Sequence, residues 1–201
     1  MKIALTGGIA CGKSLFAKFL GELGIQLIDA DDVVHELEAP GGAAVEPIVA
    51  RFGRGVLSSD GGIDRAALAE RVFSDPAARA DLEAIIFPLV RTRLGKAVAP
   101  RPQRSSAPIT IHIIPLLFES HWDADYDIII VLVSGHEAQV RRMAETRGQS
   151  REEAEARIAA QMPVEEKAAR ADYVIRNDST PQALHAEAVR LVEWLESRTR
   201  G

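Results

Sequence analysis

The spacing of apolar positions changes from segment to segment, and the changes mark out elements. Ile3-Ala4-Leu5-Thr6 is a short apolar run of strand character, after which Leu15, Phe16, Phe19, Leu20 and Leu23 recur at helical spacing. Gly24 is a stop, and Ile25-Gln26-Leu27-Ile28-Asp29 predicts a second strand. From Asp32 to about Pro108 the pattern turns helical, with no convincing strand. Pro40-Gly41-Gly42 is a break, Val45 to Phe52 a short helix, Ser58 to Gly62 a turn and Asp64 to Phe73 another helix. Asp75-Pro76 reads as an N-cap with proline at the first helical position. The helix it opens carries Leu82, Ile85 and Ile86 on one face, with a kink or restart at Pro88, and Pro100 to Ser106 is polar and loop-like. Strand character returns at Ile109 to Ile114. It is strongest at Asp127 to Val133, apolar throughout as expected of a strand covered on both faces. Ser134 with Glu137, and Ser150 with Glu153, predict capping boxes for two helices. Ala171 to Asn177 reads as a fifth strand and its exit, and Thr180-Pro181 opens a closing helix with Leu184, Val189, Leu191, Val192 and Leu195 mostly facing the core.

Chemistry enters between the first strand and helix, where Gly7-Gly8-Ile9-Ala10-Cys11-Gly12-Lys13-Ser14 matches G-x-x-x-x-G-K-[ST]. A phosphate chain is wrapped by backbone N–H groups at close range, so glycines supply unusual dihedrals and clear the way, and the helix start adds its positive dipole end. Lys13 is expected at the β/γ-phosphates and the Ser14 hydroxyl on Mg²⁺. The motif fixes a triphosphate and leaves the reaction open. Asp29-Ala30-Asp31-Asp32 then crowds carboxylates at the end of the second strand, the edge where open α/β sheets bind ligands. Phosphoryl transfer to an alcohol needs a carboxylate to accept the hydroxyl proton, which makes Asp31 the candidate base. Asp29 is the candidate for orienting a Mg²⁺-bound water; the alternative is that Asp31 or Asp32 only caps the following helix. Gln139, Arg141, Arg142 and Arg147, followed by Arg157 and Gln161 four apart, read as a lid of two basic helices closing over the phosphoryl group. The alternative is a solvated pair in which Glu152, Glu153 and Glu155 neutralise Arg151 and Arg157. His112, inside a buried strand, reads as structural.

Composition adds limits. With 201 residues, 47% of them hydrophobic, the chain can bury a substantial core and is most simply one domain with inserted subdomains. A net charge of −5, from 24 basic and 29 acidic residues, argues against a general nucleic-acid binder. No apolar run approaches a membrane span, and Met1 leads directly into the first strand, so a cytoplasmic protein without a leader is expected. The single cysteine, Cys11, excludes an internal disulfide framework and a Cys-rich metal site. It reads as a small residue filling the loop, although the positive surroundings would lower its pKa.

Together these segments resemble the dephospho-CoA kinases almost end to end. The resemblance is carried by Leu5-Thr6-Gly7-Gly8-Ile9 with Gly12-Lys13-Ser14, Ile28-Asp29-Ala30-Asp31, Phe52-Gly53, Asp64-Arg65 with Leu68, and Val72-Phe73. It continues through Leu82-Glu83-Ala84-Ile85, Pro88-Leu89-Val90, Pro115-Leu116-Leu117-Phe118-Glu119, Gln139 with Arg142, Arg157-Ile158 with Gln161, and Ala171 to Ile175 with Asn177. It implies a three-layer α/β P-loop kinase fold: a five-stranded parallel sheet, a helical substrate-binding insertion and a helical lid. The boundaries expected are a nucleotide-binding core of 1–31, 108–140 and 168–201, a substrate subdomain of 32–107 and a lid of 141–167. The implied reaction transfers the γ-phosphoryl of MgATP to the ribose 3′-hydroxyl of dephospho-CoA, by a monomer or small homo-oligomer. Carried over, Asp31 matches the base, Lys13 and Ser14 the phosphate and Mg²⁺ contacts, Arg142 the lid and Asn177 the region near adenine. Gly8, Ala10, Cys11, Gly12, Lys13, Ser14 and Leu15 form the nucleotide loop. Departures are Ala10, Cys11 and Leu15 in that loop, Phe87 where the family usually has histidine before Pro88, and Thr146 where a lid arginine is expected, with Arg147 one place later. Other readings are a related nucleoside or nucleotide kinase with another acceptor, and a non-catalytic P-loop regulator.

Overall fold

The computed structural model describes residues 1–73, 75–97 and 109–199, so the polar segment expected at Pro100 to Ser106 lies outside the described residues. Along the chain run β1 (Ile3–Gly7), α1 (Lys13–Glu22), β2 (Gln26–Asp29), α2 (Ala30–Glu38), α3 (Val45–Phe52), α4 (Arg65–Phe73) and α5 (Pro76–Ala97). They are followed by β3 (Thr110–Ile113), β4 (Ile128–Val133), α6 (His136–Arg147), α7 (Arg151–Ala159), α8 (Val164–Ala169), β5 (Tyr173–Arg176) and α9 (Pro181–Thr199). Two compact units emerge: Met1–Ile28 with Pro102–Gly201, and Asp29–Arg101.

The first unit is built on a five-stranded all-parallel sheet of order β2-β3-β1-β4-β5. β1 therefore lies between β3 and β4, pairing Ile3 with both Ile111 and Ile128. Every residue of β1 and β4 is buried, which accounts for the unbroken apolar spelling of β4. Ile3, Leu5, Ile130, Leu132 and Ile175 pack with Phe16 and Leu20 of α1 and with Leu184, Leu191 and Leu195 of α9. The loop after β1 thus leaves the middle of the sheet, where connections diverge to either side and ligands bind.

The second unit is helical, with α5 packed against α2, α3 and α4. Its helix starts follow the local chemistry: Asp64 Oδ1 accepts the N–H groups of Ala66 and Ala67, and Asp75 Oδ1 those of Ala77 and Ala78. α5 runs unbroken through Pro88, without the expected restart. Proline removes one N–H bond, and burial of Ala78, Ile86, Val90 and Leu94 along the helix keeps it intact.

One capping box is corrected and the other is present. α6 starts at His136 behind Gly135, because the buried Ser134 hydroxyl donates instead to the Asn177 carbonyl at 2.8 Å. At α7, Ser150 and Glu153 form the reciprocal pair.

Candidate functional site

The loop that follows β1 is shaped by the side chains behind it. The Ile9 carbonyl accepts from Gln139 Nε2 at 2.6 Å, the Ala10 carbonyl from Arg142 Nη1 at 3.2 Å, and the Cys11 carbonyl from Asn177 Nδ2 at 2.8 Å. Peptide units are planar and trans, so each captured carbonyl sends the next N–H the opposite way. The N–H groups of Ala10, Cys11 and Gly12 therefore point away from Gln139, Arg142 and Asn177, as an anion-binding nest would require. The Cys11 amide keeps only a long 3.4 Å bond to the Gly8 carbonyl. Gly12 has φ +93°, and a Cβ there would lie 2.3 Å from Asn177 Nδ2. Ala10 adopts the left-handed region, φ +55°, without being glycine.

Lys13 opens α1 and donates to the carbonyls of Gly7 and Gly8 at 2.9 and 2.8 Å, which holds its ammonium over the same loop. Ser14 and Leu15 follow on the exposed side of the helix. Cys11 is fully buried, and burial pushes its thiol pKa up despite the nearby Lys13 charge. That agrees with the reading of Cys11 as a loop filler rather than a thiol activated by positive surroundings.

Arg142, expected at the phosphoryl group, is directed at the protein itself. Besides the Ala10 carbonyl, its guanidinium donates to Ser134 Oγ at 2.8 Å and to the Asn177 carbonyl at 2.7 Å. Asn177, buried as β5 ends, bonds the loop through the Cys11 carbonyl. Arg141, Arg147 and Arg157 are exposed, while Arg151 is held by Glu137 at 2.6 Å and Glu155 at 2.8 Å. Arg147 is the last residue of α6, still in helical register with Thr146, whose hydroxyl donates to the Arg142 carbonyl.

In the second unit, the capping alternative resolves in an unexpected way. Asp29 is the N-cap of α2, its Oδ1 accepting the Asp31 N–H at 2.9 Å, so neither Asp31 nor Asp32 performs that role. Asp31 sits in the first turn and lines a cavity of about 360 Å³ with His35, Glu38, Arg65, Leu68 and Leu82. Glu38 is buried, which raises its pKa, and its carboxylate meets Arg65 Nε at 2.8 Å. His35, Glu38 and Arg65 also border an adjoining cavity of about 260 Å³.

Gln139 and Gln161, expected on the lid helices, both bond the loop at Ile9. One buried group escaped prediction. Lys167, fully buried on α8, pairs with Glu119 at 2.7 Å. Nothing local distinguishes Lys167 from the solvated lysines, because its partner lies 48 residues away. His112 is structural as expected: it is buried and bonded to the Tyr126 hydroxyl at 2.9 Å, and burial, aided by the Lys2 charge, takes its pKa down to about 4.

The chain matches the dephospho-CoA kinase family over residues 1–182. A dephospho-CoA kinase of Symbiobacterium thermophilum is 47% identical over 175 residues, covering 87% of this chain and 73% of that protein. One from Geobacter sulfurreducens is 46% identical over 182 residues, covering 90% and 92%. Among solved structures, the dephospho-CoA kinase from Campylobacter jejuni matches with a TM-score of 0.73 at 28% identity, over 99% of this chain and 100% of that one. Likeness over nearly the whole length leads to one assignment: the chain belongs to the dephospho-CoA kinase family and is an ATP-dependent kinase.

Proposed function

We propose that the loop from Gly8 to Leu15 holds the ATP triphosphate, with Lys13 leaving the Gly7 and Gly8 carbonyls to take the β/γ-phosphates. The observation that carries this is the capture of three consecutive carbonyls, which turns the next amides away from Gln139, Arg142 and Asn177. Asp31 serves as the base. The ribose 3′-oxygen of dephospho-CoA attacks the γ-phosphorus, its proton passes to Asp31, and the bond to the β-bridging oxygen breaks to release ADP. Support comes from Asp29 taking over the cap and from the cavity that Asp31 lines, a place for the acceptor. Arg142 and Asn177 act by bracing the loop. Among the described residues, no group of three or more His, Cys, Asp or Glu side chains is arranged to hold a metal by itself. The Ser14 hydroxyl would suit Mg²⁺, which usually keeps several waters and takes ligands from substrate phosphates. When bound, Mg²⁺ neutralises phosphate charge. No helix of the described residues is long and apolar enough to cross a membrane, and work in the cytoplasm fits coenzyme A synthesis.

Two variants test these roles by steady-state kinetics with dephospho-CoA. Asp31→Asn should leave the KM for ATP within a few-fold while turnover falls about 10²-fold or more; unchanged turnover removes Asp31 as base. Lys13→Ala should weaken ATP binding and abolish transfer, and an active variant would overturn the assignment of the loop.

A further inference from the structure

The Ile9 backbone is held from both sides by two glutamines. Its N–H donates to Gln161 Oε1 at 3.1 Å and its carbonyl accepts from Gln139 Nε2 at 2.6 Å. Gln139 lies on α6 and is buried, whereas Gln161 follows the end of α7. The grip has polarity: a carbonyl can only accept and an N–H only donate, so position 139 must supply a donor and position 161 an acceptor. Space for it is built into the loop, since a Cβ on Gly8 would come within 2.8 Å of Gln139 Nε2. Around the bonds, Ile9 and Ala10 pack on the core of the α6–α7 hairpin, formed by Val140, Met143 and Ala154. Both glutamines also border a cavity of about 270 Å³ with Ile158, Met162 and Val164, so the amides act as struts beside a void.

We propose that Gln139 and Gln161 are positioning residues for ATP capture, coupling the placement of the α6–α7 hairpin to the shape of the phosphate loop through Ile9. The hairpin supplies Gln139 from α6 and Gln161 from just beyond α7, and the loop answers at a single residue. Displacing either arm therefore releases one side of Ile9 and lets the amides that follow turn out of the nest. This rests on the loop holding the triphosphate, which Lys13→Ala tests separately.

The experiment compares Gln161→Met, Gln161→Glu and Gln139→Met, each checked for an unaltered urea midpoint. Hydrogen exchange at the Ile9 amide is measured in nucleotide-free protein, alongside the KM of each substrate. Gln161→Met, which lacks an acceptor for the amide, should lose protection at Ile9, and Gln161→Glu, which retains one, should keep it. Gln161→Met and Gln139→Met should each raise the KM for ATP about 5-fold while that for dephospho-CoA moves less than about 2-fold. If Gln139→Met fails to fold, the Gln161 pair still decides the matter. Unchanged Ile9 exchange in Gln161→Met, or equal rises in both KM values, would overturn the proposal.

Discussion

Replacing Lys167 by methionine isolates a buried charge and should reverse the way stability depends on pH. The ammonium has no exposed surface and sits 2.7 Å from Glu119 Oε1, which also accepts the Met162 N–H at 3.0 Å. Glu119 Oε2 is buried with no hydrogen-bond partner. Methionine fills the volume of the lysine stem and leaves the carboxylate only the backbone N–H groups of Met162 and of Glu119 itself. Removing one partner of a buried pair typically costs about 3–5 kcal/mol. The Glu119 side chain is 22% exposed, so solvent screens part of this, and about 2–4 kcal/mol at neutral pH is the expected loss.

The pH dependence separates this from lost packing. In the parent protein burial raises the Glu119 pKa, but Lys167 and the backbone N–H groups of Glu119 and Met162 outweigh it and the net shift is downward from 4.5. The stability it contributes is therefore present above the unfolded-state pKa and lost as pH falls through the lower folded value. Without the ammonium burial dominates, the folded pKa rises above the unfolded one, and protonation relieves the penalty as pH falls. Urea unfolding followed by circular dichroism at pH 7.5 and 5.5 reads both effects. The deficit of Lys167→Met should shrink at the lower pH, and Lys167→Met/Glu119→Gln should recover much of it at pH 7.5. A deficit below about 1 kcal/mol at pH 7.5, or the same deficit at both pH values, would refute the reasoning.

Two further outcomes follow from single residues. Ala10→Gly relieves about 1 kcal/mol of left-handed strain but adds unfolded-state entropy and gives up methyl contact with the Val140 and Met143 cluster, so stability should stay within about 0.5 kcal/mol of the parent. Thermal unfolding checks this. His112, with a folded pKa of about 4, stays neutral while the unfolded state gains a proton below 6.5, so stability should fall across that window. His112→Gln removes the titration and should flatten the unfolding free energy between those pH values.

What the sequence made legible was local or periodic. The apolar spelling of β4 reports burial on both faces, and Asp64, Asp75 and Ser150 each cap a helix only two or three residues away. Ser134 and Glu137 have the same spacing as Ser150 and Glu153, yet no box forms, because a carbonyl 43 residues away captures the serine hydroxyl. The same limit applies at the candidate site. Lys13 and Ser14 are legible from a contiguous motif, whereas the roles of Arg142, Asn177 and Gln161 depend on distances in space, and each bonds the loop across more than 130 residues. Spacing along a helix face says which side chains share a surface, not which backbone they will meet.

The alanine in the loop is a consequence of those distant contacts. A left-handed alanine costs about 1 kcal/mol relative to glycine, and an isolated loop would relax to avoid it. Here the Ala10 carbonyl is fixed by Arg142, the preceding carbonyl by Gln139 and the following one by Asn177, so relaxation would break three hydrogen bonds to partly or wholly buried groups. The Ala10 methyl also packs on the α6–α7 hairpin, a contact glycine could not make. The hairpin thus helps to hold a left-handed backbone that glycine would adopt more readily. A loop with Ala10 keeps its shape only while α6 stands behind it, which makes the strain at Ala10 and the braces from Gln139 and Arg142 parts of one arrangement.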